Sequence, residues 1–310
     1  MKKKKAIAMS FNWIFAIITG VFILFLAIYG ASKFIQTSEK TIYTETAASL
    51  ISLFDPLETG LASGKAYEIG FKKQSKFYFT CDYLSNQPFG KQTIAFSEQT
   101  FGEEYGEKGG GVSIKNKYVF TNEIIEGKKL YVFTKPFFMP FKITDIVIVL
   151  PDSDTYCFYD SPEEIKENLE GLNLETIHFP NESERCEGIN VCFDIGRECD
   201  IKVFEEEGYV QKQGTRVFYI GDLIYGAIFS SPDIYECNIK RIKNKFNELG
   251  KIYLDKIKII ERKECGAQLG PKLASVIGEI ENSRDLIMLY EKIEDIDSIN
   301  RRAKSGCSLY

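Results

Sequence analysis

The sequence predicts an α+β protein in which an N-terminal transmembrane helix carries a β-rich outer domain and a C-terminal helical unit. Three observations lead to this class: an apolar run without formal charge near the start, short aromatic and β-branched segments in the middle, and a helical apolar stripe near the end. The predicted domains are, in order, 1–35, the cytoplasmic lysines and transmembrane anchor; 36–65, an amphipathic stalk helix; 66–230, the β-rich outer domain; and 231–310, the C-terminal helical unit.

The first predicted element is a helix that spans a membrane. The uncharged run 6–32 holds 27 residues, or ~40 Å of helix at ~1.5 Å per residue, whereas the hydrocarbon core needs ~30 Å and a signal-peptide core holds only ~7–15 residues. Trp13 and Tyr29 lie near its ends, where amphipathic rings favour the interface. The positive-inside rule keeps the lysines at 2–5 in the cytoplasm. We therefore expect a single-pass cell-membrane protein with its C-terminal domain outside.

The helix is predicted to continue beyond the membrane as a stalk, so that one helix runs from about Met9 to about Phe54. Pro56, Gly60 and Gly64 then end it. An apolar stripe at near-helical spacing marks this second half and must be buried against the outer domain or another copy. Its residues are Ile35, Ile42, Ala47, Leu50, Phe54 and Leu57.

The first 55 or so residues resemble a known family. Basic residues, a short uncharged spacer, the segment FNWIFAIITGVFILFLAIYG and an amphipathic continuation resemble the N-terminus of archaeal type IV pilin-like proteins with a class III signal. The resemblance implies cleavage near Ile7 or Met9, with the hydrophobic helix retained and packed in a filament core. The residues AIAMS after Lys5 depart from the family's processing pattern, because the usual small residue followed by glutamine and the early helix glutamate are absent. Segments KPFFMPFKITDIVIVL and GAIFSSPDIYECNIKRI also resemble uncharacterised envelope proteins, with no implied function.

Two sets of short strands are predicted between about Ala66 and Tyr219, because aromatic and β-branched residues alternate with turn residues there. The first set is AYEIGF, KFYFTCDY, KQTIAFS, GVSIKNKYVFT, KKLYVFT and KITDIVIVL, with EGKK as a hairpin turn before LYVFT. The second set is TYCFYD, LETIHF, INVCFDI, CDIKVF and TRVFYI. A short helix lies between the sets, with Ser161 as N-cap, Pro162 in its first turn and Gly171 beyond its end.

The last eighty residues are predicted to be helical. One helix begins at Ser231 or Pro232 and closes at Gly266, and a second stretch follows Pro271 with a break near Ser283, which gives a hairpin or a three-helix unit. Its apolar stripe packs on the sheet or within the unit, or else forms an oligomeric coiled coil. The first helix carries the stripe Tyr235, Ile239, Ile242, Phe246, Leu249, Tyr253, Ile257 and Ile260.

All eight cysteines follow the anchor, and this predicts disulfides in an oxidising compartment. They are Cys81, Cys157, Cys186, Cys192, Cys199, Cys237, Cys265 and Cys307. The alternative is zinc at the central three, although their gaps of five and six residues exceed those of zinc ribbons. The connectivity stays open: an antiparallel return brings Cys307 toward Cys237, and a break near Ser283 redirects it toward Cys265. Asn181, in Asn-Glu-Ser, is a glycosylation candidate.

The sequence contains no recognisable catalytic, cofactor-binding or metal-binding motif, and none of these residues is predicted. Its one histidine, His178, is interpreted as a packed strand residue, and the glycine-rich stretch GEEYGEKGGGVS as a flexible hairpin loop. The net charge is −5, the sequence pI is about 5.3, and lysine and glutamate are interspersed. This pattern predicts no nucleic-acid partner.

The function predicted from these features is that of a membrane-anchored cell-envelope protein with a disulfide-stapled outer domain. It would serve as a non-enzymatic binding, adhesion or pilus-like filament-associated subunit. The expected partners are the lipid bilayer and other envelope or filament subunits, contacted through helix 9–54 and the C-terminal helices. The alternative is a membrane-anchored envelope enzyme, a hydrolase that works with carboxylates and needs no histidine.

Overall fold

The structure, a computed structural model, contains a long apolar N-terminal helix, a domain rich in β-sheet and a group of C-terminal helices. The α+β class predicted from the sequence is therefore confirmed. The residues that the structure describes are 11–54, 65–85, 87–100, 102, 104–181, 184–193, 196, 198–261, 269–303 and 307–310.

The described helices are α1 (Phe11–Leu53), α2 (Glu163–Glu170), α3 (Leu223–Phe229), α4 (Pro232–Glu261), α5 (Leu269–Ala274) and α6 (Ser283–Arg301). The described strands are β1 (Tyr67–Asp82), β2 (Lys91–Glu98), β3 (Val112–Ile114), β4 (Tyr118–Phe120), β5 (Ile124–Phe138), β6 (Lys142–Pro151), β7 (Tyr156–Tyr159), β8 (Ile177–His178), β9 (Ile189–Cys192), β10 (Ile201–Phe204), β11 (Tyr209–Lys212) and β12 (Thr215–Phe218).

Helix α1 is continuous over 43 residues, and its two halves differ in burial. The side chains 12–35 are exposed apart from half-buried Thr19, and this half is long and apolar enough to cross a membrane. Hydroxyl groups along the helix donate to the carbonyl four residues earlier, as in Thr19 to Phe15 (2.9 Å) and Ser32 to Ile28 (2.9 Å). Because these bonds satisfy each hydroxyl internally, the exposed half suits a surrounding without water.

The first sheet has the strand order β3-β2-β1-β5-β6-β4. It is buried on both faces, as the alternation along β5 demonstrates: Leu130 and Val132 face one core cluster, whereas Tyr131 and Phe133 face the other. The face that contains Leu130 and Val132 is covered by residues 43, 47, 50 and 54 of α1. The predicted stripe is therefore only partly correct: Ile35 and Ile42 are exposed because they lie N-terminal to the covered part of the helix, and Leu57 lies outside the described residues. The sheet is curled, because the side chain of Gln92 on β2 reaches the backbone of β4 at the opposite edge.

The second sheet has the order β12-β11-β10-β9-β7-β8 and is mixed, with parallel pairs among β7, β8, β9 and β10. Its inner face meets the first sheet across the main core. Helix α3 lies in this core and is buried along its whole length. A helix that is apolar all round belongs in such a position.

Three local predictions are wrong. The stretch EGKK lies within the single long strand β5, because β1 pairs with β5 along this stretch and holds it extended. Asp152, which directly follows β6, adds a contact here: its carboxylate accepts a bond from the Lys128 backbone nitrogen (3.0 Å). The segment GVSIKNKYVFT splits into β3 and β4, and Asn116 between them adopts φ 55°. Helix α2 begins one residue later than predicted, with Pro162 rather than Ser161 at the N-cap.

The C-terminal helices pack against the main core through their apolar stripes. Helix α4 begins at Pro232, as predicted, and its predicted end at Gly266 lies outside the described residues. Helix α6 begins after Asn282, which forms a capping box with Asp285. This boundary lies where the sequence predicted a break.

Candidate functional site

The loop from residue 106 to 111 forms the surface on which the second half of α1 packs. Its glycines bring the loop backbone against the helix: an added Cβ on Gly109 would lie 2.8 Å from the Tyr43 Cβ and 3.0 Å from the Thr44 backbone nitrogen. An added Cβ on Gly106 would lie 2.9 Å from the Tyr43 hydroxyl. Only a residue without a side chain permits this approach. We call Tyr43, Thr44, Gly106, Gly109 and Gly110 the helix seat.

Aromatic and polar contacts complete the helix seat. The ring of Tyr43 is buried and meets Phe96 edge to face, with centroids 5.6 Å apart. The Thr44 hydroxyl accepts a bond from the Gly110 backbone (2.8 Å) while it donates to the Lys40 carbonyl (2.7 Å). Burial raises the pKa of Tyr43, and the nearby carboxylates Glu39 and Glu98 add to this shift. The seat is therefore a packed junction with matched hydrogen bonds.

An exposed ion pair lies at the edge of the seat. The Lys40 ammonium contacts Glu107, and this hydrogen bond lowers the pKa of the carboxyl. Both side chains are about half exposed, so water and salt screen the pair. The seat therefore depends on packing around Tyr43 and on the glycines rather than on charge.

Helix α4 is held on the same sheet by a different set of contacts. Cys237 of α4 is disulfide-bonded to Cys81 near the end of β1, with 6.1 Å between their Cα atoms and a sequence separation of 156. Nearby, Ile234 packs in the cluster that also contains Val119 and the buried stripe of α1. The disulfide thus links helix α4 covalently to strand β1, which pairs with β2.

A buried arginine reinforces this attachment. Arg241 is fully buried, and it donates to the Phe89 carbonyl (3.0 Å), to Gln92 Oε1 (3.0 Å) and to Asn238 Oδ1 (2.8 Å). Gln92 and Asn238 in turn hydrogen-bond the backbone of Val119, which closes the curled sheet. Burial lowers the pKa of Arg241 to about 10. We call this network, together with the Cys81–Cys237 disulfide, the α4 junction.

The structure pairs six of the eight predicted cysteines with one another. The bonds are Cys81–Cys237, Cys157–Cys186 and Cys192–Cys199. Cys307 is also disulfide-bonded, and Cys265 lies outside the described residues. Of the two alternatives for Cys307, a bond to Cys237 does not form, because Cys237 is bonded to Cys81. Among the described residues no group of three metal-ligating side chains is present, and the three cysteines considered for zinc are all in disulfides.

The glycosylation candidate and the single histidine lie in one surface region. Asn181 is exposed, and its backbone nitrogen donates to Glu184 (3.2 Å); Ser183 of the sequon lies outside the described residues. His178 forms part of β8, as a strand residue should, but its side chain is exposed rather than packed. The reason is that Ile177 faces the main core, so His178, the next residue along the strand, points to the opposite face of the sheet.

A polar cluster that the sequence did not indicate lies where α2 and α3 meet β5. The Lys135 ammonium is buried, donates to Asn168 Oδ1 (2.6 Å) and lies 4.9 Å from the centroid of the Tyr225 ring. Burial lowers the pKa of Lys135, although Asp222 and Glu164 oppose the shift, and burial raises the pKa of Asp222. A lysine within the alternating apolar strand was the only available signal for this cluster.

No family model matches the chain, and no curated protein or solved structure matches it either. Its function must therefore be inferred from the contacts themselves. Those contacts join a helix that is long and apolar enough to span a membrane to a disulfide-stabilised domain, through the helix seat.

Proposed function

We propose that the chain is a membrane-anchored cell-envelope protein whose outer domain binds other envelope components. It does so as an adhesion protein or as a subunit associated with a pilus-like filament. The observation that carries this proposal is the continuity of α1, whose exposed apolar half leads without a break into the helix seat. A protein that only needed a tether would not require a packed junction between tether and domain.

The helix seat fixes the height of the outer domain above the bilayer. From Ser32, the last residue of the uncharged run, to Tyr43 the helix rises roughly 16 Å at ~1.5 Å per residue. A headgroup layer occupies roughly 5–7 Å on each side of the hydrocarbon core. With the ~40 Å run centred on the ~30 Å core, Ser32 lies roughly 5 Å beyond the core and the seat stands roughly 15 Å above the headgroups, so the outer domain is presented close to the membrane at a fixed orientation.

The topology within this proposal places the N-terminal lysines in the cytoplasm and the disulfide-bonded domain outside. The lysines at 2–5 support this orientation through the positive-inside rule, and three disulfides fit an oxidising compartment. Protease added to right-side-out vesicles is expected to digest the outer domain. Complete protection until lysis contradicts the orientation.

Site-specific photo-crosslinking in native membranes tests the binding role. One photoreactive residue replaces Phe22, on the lipid-exposed half of α1, and another replaces Leu84, which is 76% exposed at the turn between β1 and β2. Filament-type assembly predicts adducts between copies of the chain at Phe22. Binding by the outer domain predicts a protein adduct at Leu84 that the two purified proteins reproduce.

The matched control carries the photoreactive residue at Phe77, which is fully buried on β1 and is expected to give no adduct between chains. Adducts with lipid alone at Phe22, together with none at Leu84 or at other exposed positions of the outer domain, contradict the proposed function.

Intact-mass measurement separates the two forms of the proposal, a pilin-like subunit and an ordinary anchored protein. A mature chain that begins near Ile7 or Met9 supports the pilin-like form, whereas a full-length chain leaves an ordinary anchor.

A second candidate function, a membrane-anchored hydrolase that uses carboxylates, is favoured by the cluster around Lys135. Burial raises the pKa of Asp222, as a general acid requires; the Lys135 ammonium opposes this shift and Glu164 adds to it. Hydrolysis of fluorogenic glycoside or peptide substrates that Asp222→Asn abolishes, while the variant stays folded, supports this candidate. Equal turnover by the variant and the native chain removes it.

A further inference from the structure

Basic residues gather at one end of the first sheet, where the segments 83–97, 109–122 and 237–247 meet. Gln92 of the first segment hydrogen-bonds the backbone of Val119 in the second (2.7 and 3.0 Å), and Arg241 of the third donates to Gln92 (3.0 Å). The whole chain has 44 acidic residues against 39 lysines and arginines, yet these three segments contain no acidic residue. Their basic residues are Lys91, Lys115, Lys117, Lys240, Arg241, Lys243 and Lys245.

Three lysines and two apolar side chains surround the turn between β1 and β2. Lys240 of α4 lies over the ring of Tyr83, with its ammonium 4.3 Å from the ring centroid. Lys91 directly follows the turn, and Lys115 stands beside it, since the residues next to these two lysines are paired in the β2–β3 register. Leu84 projects from the turn and is 76% exposed. We call Tyr83, Leu84, Lys91, Lys115 and Lys240 the basic face.

The positive charge of the basic face is only partly neutralised. Within the described residues, none of its three lysines forms an ion pair. Asp82, the strand partner of Lys91 in the β1–β2 register, is the opposing charge, and its carboxylate accepts a bond from the Leu84 backbone (3.0 Å). Below the face, the acceptors of the buried Arg241 guanidinium in the described part of the chain are uncharged oxygens. Because a low-dielectric surrounding screens this charge poorly, it adds to the positive potential at the surface.

The basic face lies at the end of the sheet that points away from the membrane-spanning half of α1. Helix α1 and the loop 106–111 advance in the same direction: Lys40 contacts Glu107, and four residues later Thr44 accepts a bond from the Gly110 backbone (2.8 Å). The loop then continues into β3, whose last residue pairs with the start of β2. The lysines at the start of β2 and after β3 therefore lie beyond the helix seat.

This position excludes the lipids of the anchoring membrane as the partner of these lysines. The Gly106 backbone, at the level of the seat, donates to the carbonyl of Glu98 at the opposite end of β2 (2.9 Å). From Glu98 to Lys91 the strand extends ~23 Å at ~3.3 Å per residue. The seat itself stands roughly 15 Å above the headgroups. Charges in water interact over only ~8 Å at physiological ionic strength, so the basic face does not sense this bilayer.

We propose that the basic face binds an acidic segment of a partner protein, which also supplies an apolar side chain to Leu84. This inference rests on the proposed binding role of the outer domain, and it specifies the surface and the chemistry of the partner. Complementary charge selects such a segment and speeds its approach. The apolar side chains Tyr83 and Leu84 favour a protein over a polyanionic polymer, because an apolar centre with a charged rim is the usual arrangement of a protein–protein interface.

Photo-crosslinking in native membranes, with the photoreactive residue in place of Leu84, tests the charge of the partner. The variant Lys91→Glu/Lys115→Glu/Lys240→Glu is expected to lower the yield of the protein adduct by about tenfold or more, because like charges then oppose the acidic segment. Mass spectrometry of the adduct should locate the crosslinked peptide in a segment of the partner that is rich in aspartate and glutamate.

The matched control is Lys72→Glu/Lys128→Glu/Lys292→Glu. It makes the same change in net charge at three exposed lysines outside the basic face, and it should keep the native yield. The Cys81–Cys237 disulfide, detected by peptide mapping without reduction, reports whether each triple variant folds.

A salt series on the chain that keeps all its lysines gives the same test without a change in the fold. The adduct yield should fall as NaCl rises from about 0.05 to 0.5 M, since salt screens the attraction. A protein adduct at position 84 that responds neither to the lysines nor to salt overturns the acidic partner and leaves the proposed binding role standing. An adduct with a polyanionic polymer, or protein adducts only at other positions of the outer domain, also overturns it. Absence of adducts at every exposed position of the outer domain removes both proposals.

Discussion

The two helices that pack on the first sheet are attached in different ways. Helix α1 meets the sheet through the helix seat, where backbone glycines, a buried tyrosine ring and one hydroxyl make the contact. Helix α4 meets it through a disulfide and a buried arginine network. The seat is specified by shape, and the α4 junction by covalent and charged groups. Substitutions that change volume should therefore affect α1, whereas reduction and pH should affect the attachment of α4.

The largest effect is expected from removal of the long-range disulfide. Because Cys81 and Cys237 are 156 residues apart, their bond restricts a large loop of the unfolded chain. Cys81→Ser/Cys237→Ser should lower the free energy of unfolding by about 4–5 kcal/mol. Denaturant unfolding of the full chain in nanodiscs, followed by the near-ultraviolet circular dichroism of its tyrosines, measures this loss.

The matched control is Cys192→Ser/Cys199→Ser, which opens a bond that spans only 7 residues. The chain-entropy model predicts a smaller loss of about 2–3 kcal/mol for so short a loop. Equal losses in the two double variants would show that loop length is not what makes the α4 junction strong.

The next effect concerns the end of the stripe that α1 buries. Phe54 is completely buried, whereas its neighbour Leu53 is 51% exposed. Phe54→Ala leaves a cavity under the helix and is expected to cost about 3–5 kcal/mol, whereas Leu53→Ala should change stability by less than about 0.5 kcal/mol. Comparable losses for the two variants in the same unfolding assay would mean that this part of α1 is not packed as described.

A matched pair of glycine substitutions tests the helix seat itself. Gly109→Ala forces a Cβ to within 2.8 Å of the Tyr43 Cβ, whereas at Gly111 the nearest atom, in Thr93, would be 3.8 Å away. We expect Gly109→Ala to cost about 1–3 kcal/mol and Gly111→Ala to be nearly neutral. In limited proteolysis, the loop 106–111 and the part of α1 that packs on it should be cleaved faster in Gly109→Ala than in the native chain. Gly111→Ala should be cleaved at the native rate. Identical cleavage rates would contradict a close approach at Gly109.

The sequence predicted the elements better than it predicted either attachment. Hydrophobic periodicity and composition correctly predicted α1, the start of α4 and the break before α6, because helices and their ends are determined by residues that are close in sequence. The stretch 106–111 was interpreted as a flexible loop, because its glycines carry no sign of which helix they meet. Only the coincidence of a glycine-rich loop with an unpartnered helical stripe at 42–54 could have suggested the seat.

The α4 junction was beyond sequence reasoning for a different reason. Cys81 and Cys237 belong to different predicted units, and eight cysteines allow 105 connectivities. Arg241 is buried, although it belongs to a helix rich in lysine, where sequence reasoning predicts that a basic residue is exposed. Both features arise from long-range topology, which no local pattern encodes.

Measured per pH unit, the smallest effect is a pH dependence confined to the entry of α4. Burial lowers the pKa of Lys212 to about 7, and its ammonium donates to the carbonyls of Ile228 and Ser230, just before α4. Between about pH 7 and 10.5 the unfolded chain holds a proton that the folded chain has lost, so the free energy of unfolding should rise with pH by up to about 1.4 kcal/mol per unit.

Replacement of this lysine should remove that dependence. Lys212→Met is expected to flatten the rise in unfolding free energy over this window, while Lys202→Met, on the neighbouring strand β10 and only half-buried, leaves it unchanged. Denaturant midpoints measured at intervals from pH 7 to 10 provide the test. A native chain whose stability is constant over the window argues against a lowered pKa for Lys212 in the folded chain.

Hydrogen exchange in nanodiscs tests the central claim, which is that α1 is seated on the outer domain. If the seat is formed, the amides of Tyr43 to Phe54 should exchange as slowly as those of β2, and the Gly110 amide should be protected by its bond to Thr44. The Gly109→Ala variant should lose this protection while β2 keeps it. Rapid exchange of residues 43–54 in the native chain, at the rate of a helix exposed to water, would contradict the account.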